Sequence, residues 1–490
     1  MRSRIIFRYV GIILLLNAAF LFISAIISLA DGDSSFFPLL FSGLIAVMFG
    51  LFPLVFVPPT EEIQVKEGLI IVVASWIISC LVGMLPYIIW GGEFSLSNAF
   101  FESVSGYTTT GASILNEIES LPKGLLFWRA STHWMGGVGI IIFVLSVLPS
   151  MGIATTRLYR AEMSRQAFRQ FNMRAKEAIR ILLYVYLGIT VVETIALLLC
   201  GLSLFDAVAH TFATVATGGF STKNLSVAAF HSLPVEIVIM VFMILSGMNF
   251  ALIFSVIIGE IANIKQSDVL KYYLFSNLLA IALVTLDTFF NNTYPTWTDA
   301  LRYSSFQILS VGTSTGFANA NSAVWPAFSS LVLIFFTLQC ACAGSTSGGI
   351  KVDRVLIMFK AVTRKIKQTL YPNAVFHIYV DGSKLEESKI ENTMIYIAMY
   401  ILIVFFSSML LTLMNVDALT AFSGAAACMG NVGPGLGKVG SMSNYSGIPD
   451  LGKWILSLDM LLGRLEIYGL IIFFLPKTWE MLHLNLHNKF

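Results

Sequence analysis

Four short stretches of this chain combine glycine with small or hydroxyl-bearing residues in a way that suits the binding of a dehydrated cation. A cation that loses its water needs several oxygen ligands, and a ring of backbone carbonyls supplies them without a fixed counter-charge. Glycine reaches the backbone angles that such a ring requires and leaves its axis clear. Four stretches around one axis would let a single chain build the ring. We call them the glycine segments: Thr110-Gly111, Gly218-Gly219, Thr315-Gly316 and Val432-Gly433.

Each glycine segment follows a short, semi-apolar stretch that opens with an Asn or Asp followed by Ala. The side chain of such a residue suits a helix N-cap, because its oxygen accepts from free backbone N–H groups. We therefore predict four short helices, each opening at this residue and ending at a glycine segment. The separation from the polar residue to the glycine is 13 residues in the first two cases, then 17 and 16. The four opening residues are Asn98, Asp206, Asp299 and Asp417.

The rest of the sequence indicates that these short helices lie inside a membrane. The chain has 490 residues, of which 57% are hydrophobic and only 12% charged, and its mean hydropathy is +0.81. A membrane span needs roughly 20 mostly apolar residues. Ten runs meet this requirement and are predicted as spans: 9–30, 38–57, 67–90, 125–149, 178–200, 233–261, 270–290, 326–358, 393–415 and 453–475.

The glycine segments recur between consecutive spans, after the third, fifth, seventh and ninth. Irregular backbone at membrane depth survives only inside protein or beside a water-filled cavity, which favours re-entrant helices lining a pore. The predicted fold is an all-α polytopic membrane protein with four pseudo-fourfold helix–pore helix–filter–helix repeats after two extra helices. The predicted domains are 1–60 (two N-terminal spans), 61–152, 153–262 and 263–371 (repeats 1 to 3, the third with an intramembrane gating loop) and 372–490 (a cytoplasmic hairpin and repeat 4).

The distribution of charge predicts the orientation of the chain. Lys and Arg concentrate in residues 157–180 and 351–367, whereas residues 91–124 are mainly acidic, including Glu102. Basic loops stay cytoplasmic, and ten spans then place both termini on the cytoplasmic side. The first apolar run follows three arginines and also resembles a signal peptide, although it is long for one. The net charge of +2 gives no indication of nucleic-acid binding.

The motifs taken together resemble the Trk/Ktr/HKT superfamily of potassium and sodium transporters, closest to its TrkH-type branch, the bacterial potassium uptake subunit. The resemblance covers essentially the whole chain, including the two extra N-terminal helices. The motifs that carry it are Thr110-Gly111, Gly219-Phe220, Gly316-Phe317, Asn431-Val432-Gly433-Pro434-Gly435, the run from Ala343 to Lys351, and Gly463-Arg464-Leu465-Glu466-Ile467.

The resemblance implies an ion-selective filter at the glycine segments. Gly111, Gly219, Gly316 and Gly433 would be its glycines, and the carbonyls of Thr110, Gly218, Thr315 and Val432 would share K⁺ coordination. In the HKT branch, serine at the first position accompanies sodium transport, so Gly111 favours potassium. The segments are not the TVGYG of potassium channels, so a less selective K⁺/Na⁺ transporter, coupled to protons or sodium, is the alternative.

The eighth predicted span is interrupted by Gly344, Ser345, Thr346, Ser347, Gly348 and Gly349, where helix propensity collapses. By resemblance this intramembrane loop, residues 344–349, is a gate. Gly344 and Gly348 also form a G-x-x-x-G, which elsewhere packs helices. A nucleotide P-loop does not fit, because Ile350 stands where lysine is required.

Arg464 lies well inside the last predicted span, where a charge is costly and faces the bundle interior or a cavity. By resemblance it lies in the pore below the filter and helps to hold the gate shut. The alternative is an ion pair with a carboxylate elsewhere, such as Glu260 or Glu193.

The resemblance further implies a homodimer in the bacterial inner membrane and a cytoplasmic ring of nucleotide-binding, TrkA-like regulatory subunits. The chain itself is expected to bind no cofactor, only K⁺ as the transported ion. Two other functions remain open: an intramembrane enzyme, for which six histidines and no clear carboxylate pair offer little, and a carrier built on inverted repeats.

Three further features give local expectations. His133 is predicted to be a packing histidine, and Asn249 a polar group that bonds to neighbouring helices. Residues 375–385 predict a hairpin that turns at Asp381-Gly382. With the basic loops, this hairpin would offer a docking surface for a partner, or the basic loops would simply meet anionic lipid head groups.

Overall fold

The computed structural model of the chain describes residues 3–58, 65–147 and 175–475 and is mostly helical. The prediction of a helical membrane protein is confirmed at this level. The basic residues 157–174 and the predicted domain boundaries at 60 and 152 lie outside the described residues, so the domain division stays a prediction.

The helices vary widely in length, from five to 29 residues. They are α1 Ser3–Asp31, α2 Phe36–Phe56, α3 Val65–Gly83, α4 Leu85–Trp90, α5 Leu96–Tyr107, α6 Lys123–Val147, α7 Ala175–Leu199, α8 Leu204–Val215, α9 Leu233–Gly247, α10 Phe250–Ile257, α11 Ala262–Gln266, α12 Asp268–Phe290, α13 Trp297–Gly312, α14 Ala327–Leu338, α15 Val352–Leu370, α16 Glu387–Leu413, α17 Ala418–Met429, α18 Asp450–Arg464 and α19 Glu466–Phe474. Short 3₁₀ turns lie at Ile118–Ser120, Ser226–Phe230, Ser322–Val324 and Gly437–Val439.

Six helices in the described ranges are long and apolar enough to cross a membrane: Arg4–Asp31, Phe36–Phe56, Glu67–Trp90, Arg180–Leu199, Asp268–Phe290 and Glu387–Leu413. The count rises to seven if α9 and α10, which meet at 103°, form one span. Large apolar side chains such as Phe52 and Val55 on α2 face outward, as expected of a surface covered by lipid. The predicted count of ten spans stays a prediction.

Three of the predicted spans are broken helices, of which the sequence indicated only one. The run 326–358 is interrupted over residues 339–351, a wider break than the loop 344–349. The run 233–261 breaks at Met248–Asn249, because the Asn249 side chain accepts from Ala251 N (2.8 Å) and caps a new helix. The run 453–475 breaks after Arg464, where Glu466 takes a left-handed φ of 51°.

The four short helices exist, but three of their predicted N-caps are wrong. Ser95, Ser203 and Thr296 cap α5, α8 and α13, each accepting a hydrogen bond from the backbone N–H three residues on. The predicted caps Asn98, Asp206 and Asp299 are those third residues. In α8 and α13 the cap hydroxyl also donates to the carboxylate of Asp206 or Asp299, whereas Asn98 donates to the carbonyl of Glu93.

The fourth short helix is capped by Asp417 itself, as predicted. With the caps corrected, α5, α8 and α17 each have 12 residues and α13 has 16, one helical turn more. The predicted pairing of the four repeats into two shorter and two longer ones is therefore wrong, since only the third is longer.

The hairpin prediction is confirmed. Strands β1 Tyr379–Val380 and β2 Ser383–Lys384 pair antiparallel, and Asp381 and Gly382 both have positive φ, as a two-residue primed turn requires. The hairpin packs beside α15, where Lys360 pairs with Asp268 and donates to the carbonyl of Tyr379.

Candidate functional site

All four short helices end in the same way, immediately before the glycine segments. The residue two positions before the last glycine of each segment takes a left-handed φ of 51–57°, and the next N–H donates to a helix carbonyl five residues back at 2.7–2.9 Å. This is the Schellman arrangement that usually carries glycine at the left-handed position. Here the residues are Thr109, Thr217, Ser314 and Asn431, and side chains, β-branched ones above all, resist that conformation.

The glycine segments form a closed ring. A β-carbon at Gly111 would collide with the carbonyl oxygen of Gly218, one at Gly219 with that of Thr315, and one at Gly316 with that of Val432. The ring closes at Gly433, whose β-carbon would lie 2.5 Å from the carbonyl oxygen of Thr110. Each glycine therefore abuts the neighbouring segment, in chain order.

The structure brings together all eight residues that the sequence assigned to ion binding: Thr110, Gly111, Gly218, Gly219, Thr315, Gly316, Val432 and Gly433. The four glycines have left-handed φ values between 77° and 92°, which other residues resist. The C-terminal ends of the four helices, which carry partial negative charge, meet this ring. The arrangement can offer four carbonyl oxygens to a cation, although ion binding by these residues stays a prediction.

The intramembrane loop projects from a narrow neck. The N–H of Cys340 donates to Ile350 O and the N–H of Ile350 to Leu338 O, both at 3.0 Å, which pairs the two ends of the irregular stretch. Gly344 and Gly349 have positive φ and the loop contains no helix. The helix-packing explanation of Gly344 and Gly348 is therefore wrong here, since that motif acts on a helix face.

The loop lies directly against Thr217, Ser314 and Asn431, the left-handed residues that precede the second, third and fourth glycine segments. Thr346 donates to Val215 O (2.9 Å) and accepts from the Thr217 hydroxyl (3.4 Å). The Ser314 hydroxyl donates to Ser347 Oγ and accepts from Gly348 N, each at 3.0 Å. Gly348 also packs against the carbonyl of Gly430 and the side chain of Asn431. Closer to the neck, the Ser345 hydroxyl donates to Cys342 O (2.7 Å).

Arg464 connects the loop to helix α6. Its guanidinium donates to the carbonyl of Thr346 (2.7 Å) and to that of Gly136 (3.2 Å), and the side chain is buried. The described hydrogen bonds of Arg464 go to backbone carbonyls and not to Glu193, and the neighbouring Glu466 pairs instead with Arg354 (2.7 Å). This geometry favours contact with the loop over the predicted alternative of a carboxylate partner.

The sequence reasoning missed a buried ion pair behind the first two glycine segments. Glu102 and Arg129 lie 2.7 Å apart with side chains 0% and 2% exposed. Glu102 was counted only among the acids of the outward-facing segment 91–124, whose orientation stays a prediction; it lies buried on α5, facing Arg129. A charge inside an apolar run such as 125–149 was the available signal.

Three other residues complete the surroundings of the ring. His133 accepts from Phe220 N (3.1 Å) and bonds to the carbonyl of Gly106 (2.7 Å), so it is a packing residue, as predicted. Tyr445, which the sequence reasoning did not select, donates to the carbonyl of Gly433 (2.6 Å). Asn249 donates to Ala343 O (2.9 Å), so its polar partner is the base of the loop.

The described residues contain no group of three or more His, Cys, Asp or Glu side chains that could hold a metal ion. The five cysteines, among them Cys340 and Cys342, are free thiols.

Comparison with known proteins gives matches over almost the whole chain. The sequence matches the TrkH family, described as cation transport proteins, over residues 42–290 and 274–481. The "Trk system potassium uptake protein TrkH" of Salmonella typhimurium is 36% identical over 422 residues, covering 86% of this chain and 87% of the relative. The protein of the same name from Escherichia coli K12 is 34% identical over 488 residues, covering 98% and 100%. The crystal structure of the potassium transporter TrkH from Vibrio parahaemolyticus superposes with a TM-score of 0.88 at 32% identity, covering 98% of this chain and 100% of that one.

Proposed function

The chain belongs to the TrkH family of cation transport proteins, and on this premise we propose that it carries potassium ions into the cell through a single-file pore. The relatives are named potassium uptake proteins, and the glycine segments give this chain a structure suited to that task. The four carbonyls of Thr110, Gly218, Thr315 and Val432 would replace part of the ion's water shell. Because the family transports cations, an enzymatic role is not proposed.

The observation that carries the proposal is the closure of the carbonyl ring within one chain. Each glycine is needed because the neighbouring segment's carbonyl occupies the space of its β-carbon. The four left-handed polar residues then fix the direction of the chain entering each segment. Strained backbone of this kind clusters at functional sites, because the surrounding structure must hold it in place.

The intramembrane loop and Arg464 are proposed to form the gate. In the described conformation the loop bonds to residues beside the glycine segments, and Arg464 holds the Thr346 carbonyl. A buried arginine close to the ion path also opposes the passage of a cation. Opening would require these hydrogen bonds to break so that residues 344–349 swing aside.

The cellular setting is part of the proposal. We expect a homodimer in the bacterial inner membrane with both termini cytoplasmic, and a nucleotide-binding regulatory ring that acts from the cytoplasmic side. The word "system" in the names of the relatives supports a transporter subunit that works with other components. The exposed hairpin and α15 are the candidate docking surface.

Two measurements on the whole chain test the proposal. The first is growth at low potassium of a bacterium without its own uptake systems, with and without a regulatory partner from a Trk system. The second is K⁺ and Na⁺ flux into liposomes that contain the purified protein. We expect growth to be restored and K⁺ flux to exceed Na⁺ flux. Equal fluxes of the two ions would favour the less selective transporter, and no K⁺ flux would refute the proposal.

A further inference from the structure

We infer that the buried ion pair of Glu102 and Arg129 is a positioning pair, which braces the first two glycine segments and thereby sets the discrimination between potassium and sodium. The inference rests on the proposed function, since it concerns the selectivity of the same ring. Neither residue contributes a ligand to the ring, so both would act through the backbone that they hold.

Glu102 fastens the chain that leaves the first glycine segment. Its carboxylate accepts from the backbone N–H of Ile114 (3.0 Å) and from the Ser113 hydroxyl (3.0 and 3.1 Å). It also accepts from Nε of Arg129 (2.8 Å). Because Ser113 lies two residues after Gly111, the carboxylate on α5 holds both sides of the same turn: the helix that enters it and the irregular chain that leaves it.

Arg129 extends the brace to the second glycine segment. Its guanidinium donates to the carbonyl of Ser221 (3.2 Å) and to the Ser113 hydroxyl (3.3 Å). It lies 3.9 Å above the ring of Phe220, the residue that follows Gly219. One side chain on α6 therefore contacts the chain beyond Gly111 and the chain beyond Gly219 at the same time.

An aromatic contact supports the second segment from behind. The Phe220 ring stacks on His133 with centroids 4.1 Å apart, while the Phe220 N–H donates to His133 Nε2. His133 also bonds to the Gly106 carbonyl near the end of α5. The guanidinium, the phenyl ring and the imidazole thus form one stack from the ion pair to the back of Gly218-Gly219.

The charge on this pair calls for a reason beyond stability. A buried ion pair is often no more stabilising than well-packed apolar residues of the same volume, whereas the loss of one partner is strongly destabilising. The fourth segment is held without charge, by the Tyr445 hydroxyl on the Gly433 carbonyl. The planar guanidinium of an arginine can donate several hydrogen bonds in fixed directions at once. It therefore fixes the distance between two neighbouring segments.

A fixed distance matters because sodium is the smaller ion. Where the size of the cavity sets the preference, a ring of carbonyls that contracts around sodium loses its preference for potassium, and a brace that resists contraction favours potassium. Glu102 and Arg129 resist it between the first and second segments, the same quarter of the ring where Gly111 abuts the Gly218 carbonyl.

The test replaces both charged side chains with neutral amides. The double variant Glu102→Gln, Arg129→Gln in the full chain, reconstituted in liposomes, leaves no unpaired charge but removes the guanidinium fork. We expect K⁺ flux to persist and the K⁺/Na⁺ permeability ratio to fall roughly tenfold, the scale of about one hydrogen bond's net contribution. The matched control Asp31→Asn, Lys123→Gln removes an exposed ion pair away from the ring and should leave the ratio unchanged.

The outcomes separate this inference from the proposed function. A folded double variant with an unchanged ratio, or with reduced folding yield alone, would mean that the pair is only structural. If the double variant does not fold, Arg129→Lys decides: it keeps the charge but cannot span Glu102 and Ser221, so the ratio should fall, and an unchanged ratio refutes the inference. Absence of K⁺ flux in the wild-type chain would instead refute the proposed function.

Discussion

At the scale of single residues, the glycines of the ring are required by space as well as by backbone angle. The β-carbon of any other residue would meet a carbonyl oxygen of the next segment, and all four glycines have positive φ. Both obstacles act at the same atom positions that would coordinate the ion. A substitution here should therefore alter transport before it alters the rest of the fold.

The first prediction concerns Gly111→Ser. The serine β-carbon would push the Gly218 carbonyl away, so we expect K⁺ flux in liposomes to fall by ~10-fold or more and the K⁺/Na⁺ ratio to move towards one. Gly188→Ser is the matched control, because no atom lies within 4 Å of a β-carbon at that position on α7. Wild-type selectivity in Gly111→Ser would contradict the assignment of the ring.

The second prediction concerns Arg464→Ala. Removal of the guanidinium releases the Thr346 carbonyl and takes a positive charge from the proposed path. K⁺ flux without a regulatory partner should therefore increase several-fold. The lost hydrogen bond would favour the open state by at most ~1–3 kcal/mol. The flux assay in liposomes measures this. Arg364→Ala, which breaks an ion pair with Glu387 at the surface, should leave flux unchanged. A folded Arg464→Ala protein with unchanged flux would argue against a role in gating.

At the scale of elements, the sequence indicated the short helices and the broken eighth span but not their details. The glycine segments were found because four similar stretches recur between apolar runs. The caps were misassigned because Ser and Thr three residues upstream compete for the same role, and only the backbone angles decide between them. The sequence did not predict the helix break at Asn249, because an asparagine inside an apolar run is equally consistent with a buried polar contact.

A third prediction tests the corrected caps. Ser203→Ala removes the acceptor of the Asp206 N–H and should lower the free energy of unfolding in detergent by about 1 kcal/mol, while Ser203→Thr should retain most of it. Chemical unfolding followed by circular dichroism measures the change. If Ser203→Ala has no effect on unfolding, the capping assignment is wrong for α8.

A fourth prediction concerns the intramembrane loop as an element. Deletion of two residues from 344–349 should increase K⁺ flux, because a shorter loop cannot reach Val215 and Ser314 together. The milder variant Thr346→Ala, Ser347→Ala keeps the length, removes the same bonds and should act in the same direction. A decrease in flux with normal folding would mean that the loop supports the open path rather than closing it.

At the scale of the whole molecule, the match to the TrkH family confirms the resemblance drawn from the motifs. Family membership was predictable because the motifs span the chain from Thr110 to Ile467. The ring itself was predictable only as a set of candidates. The ion pair of Glu102 and Arg129 was not, because the two residues lie in different predicted elements and no sequence pattern connects them.

The fifth prediction follows from the closure of the ring within one chain. When wild-type protein is reconstituted with increasing fractions of a transport-defective Gly111→Ser chain, K⁺ flux should fall in proportion to the defective fraction. A tetrameric pore with one segment per chain would instead lose flux with roughly the fourth power of the wild-type fraction. A steep decline at equal total folded protein would contradict a complete pore in each chain.

The same closure has an evolutionary consequence. Where four identical subunits build a pore, one nucleotide change alters every quarter of the coordination shell at once. In the proposed pore the four quarters are encoded separately, by Thr110, Gly218, Thr315 and Val432, so one of them can change while the other three stay the same. Ion preference in such a lineage can therefore shift by small inherited steps, and the unequal residues at the four positions are what such a history would leave.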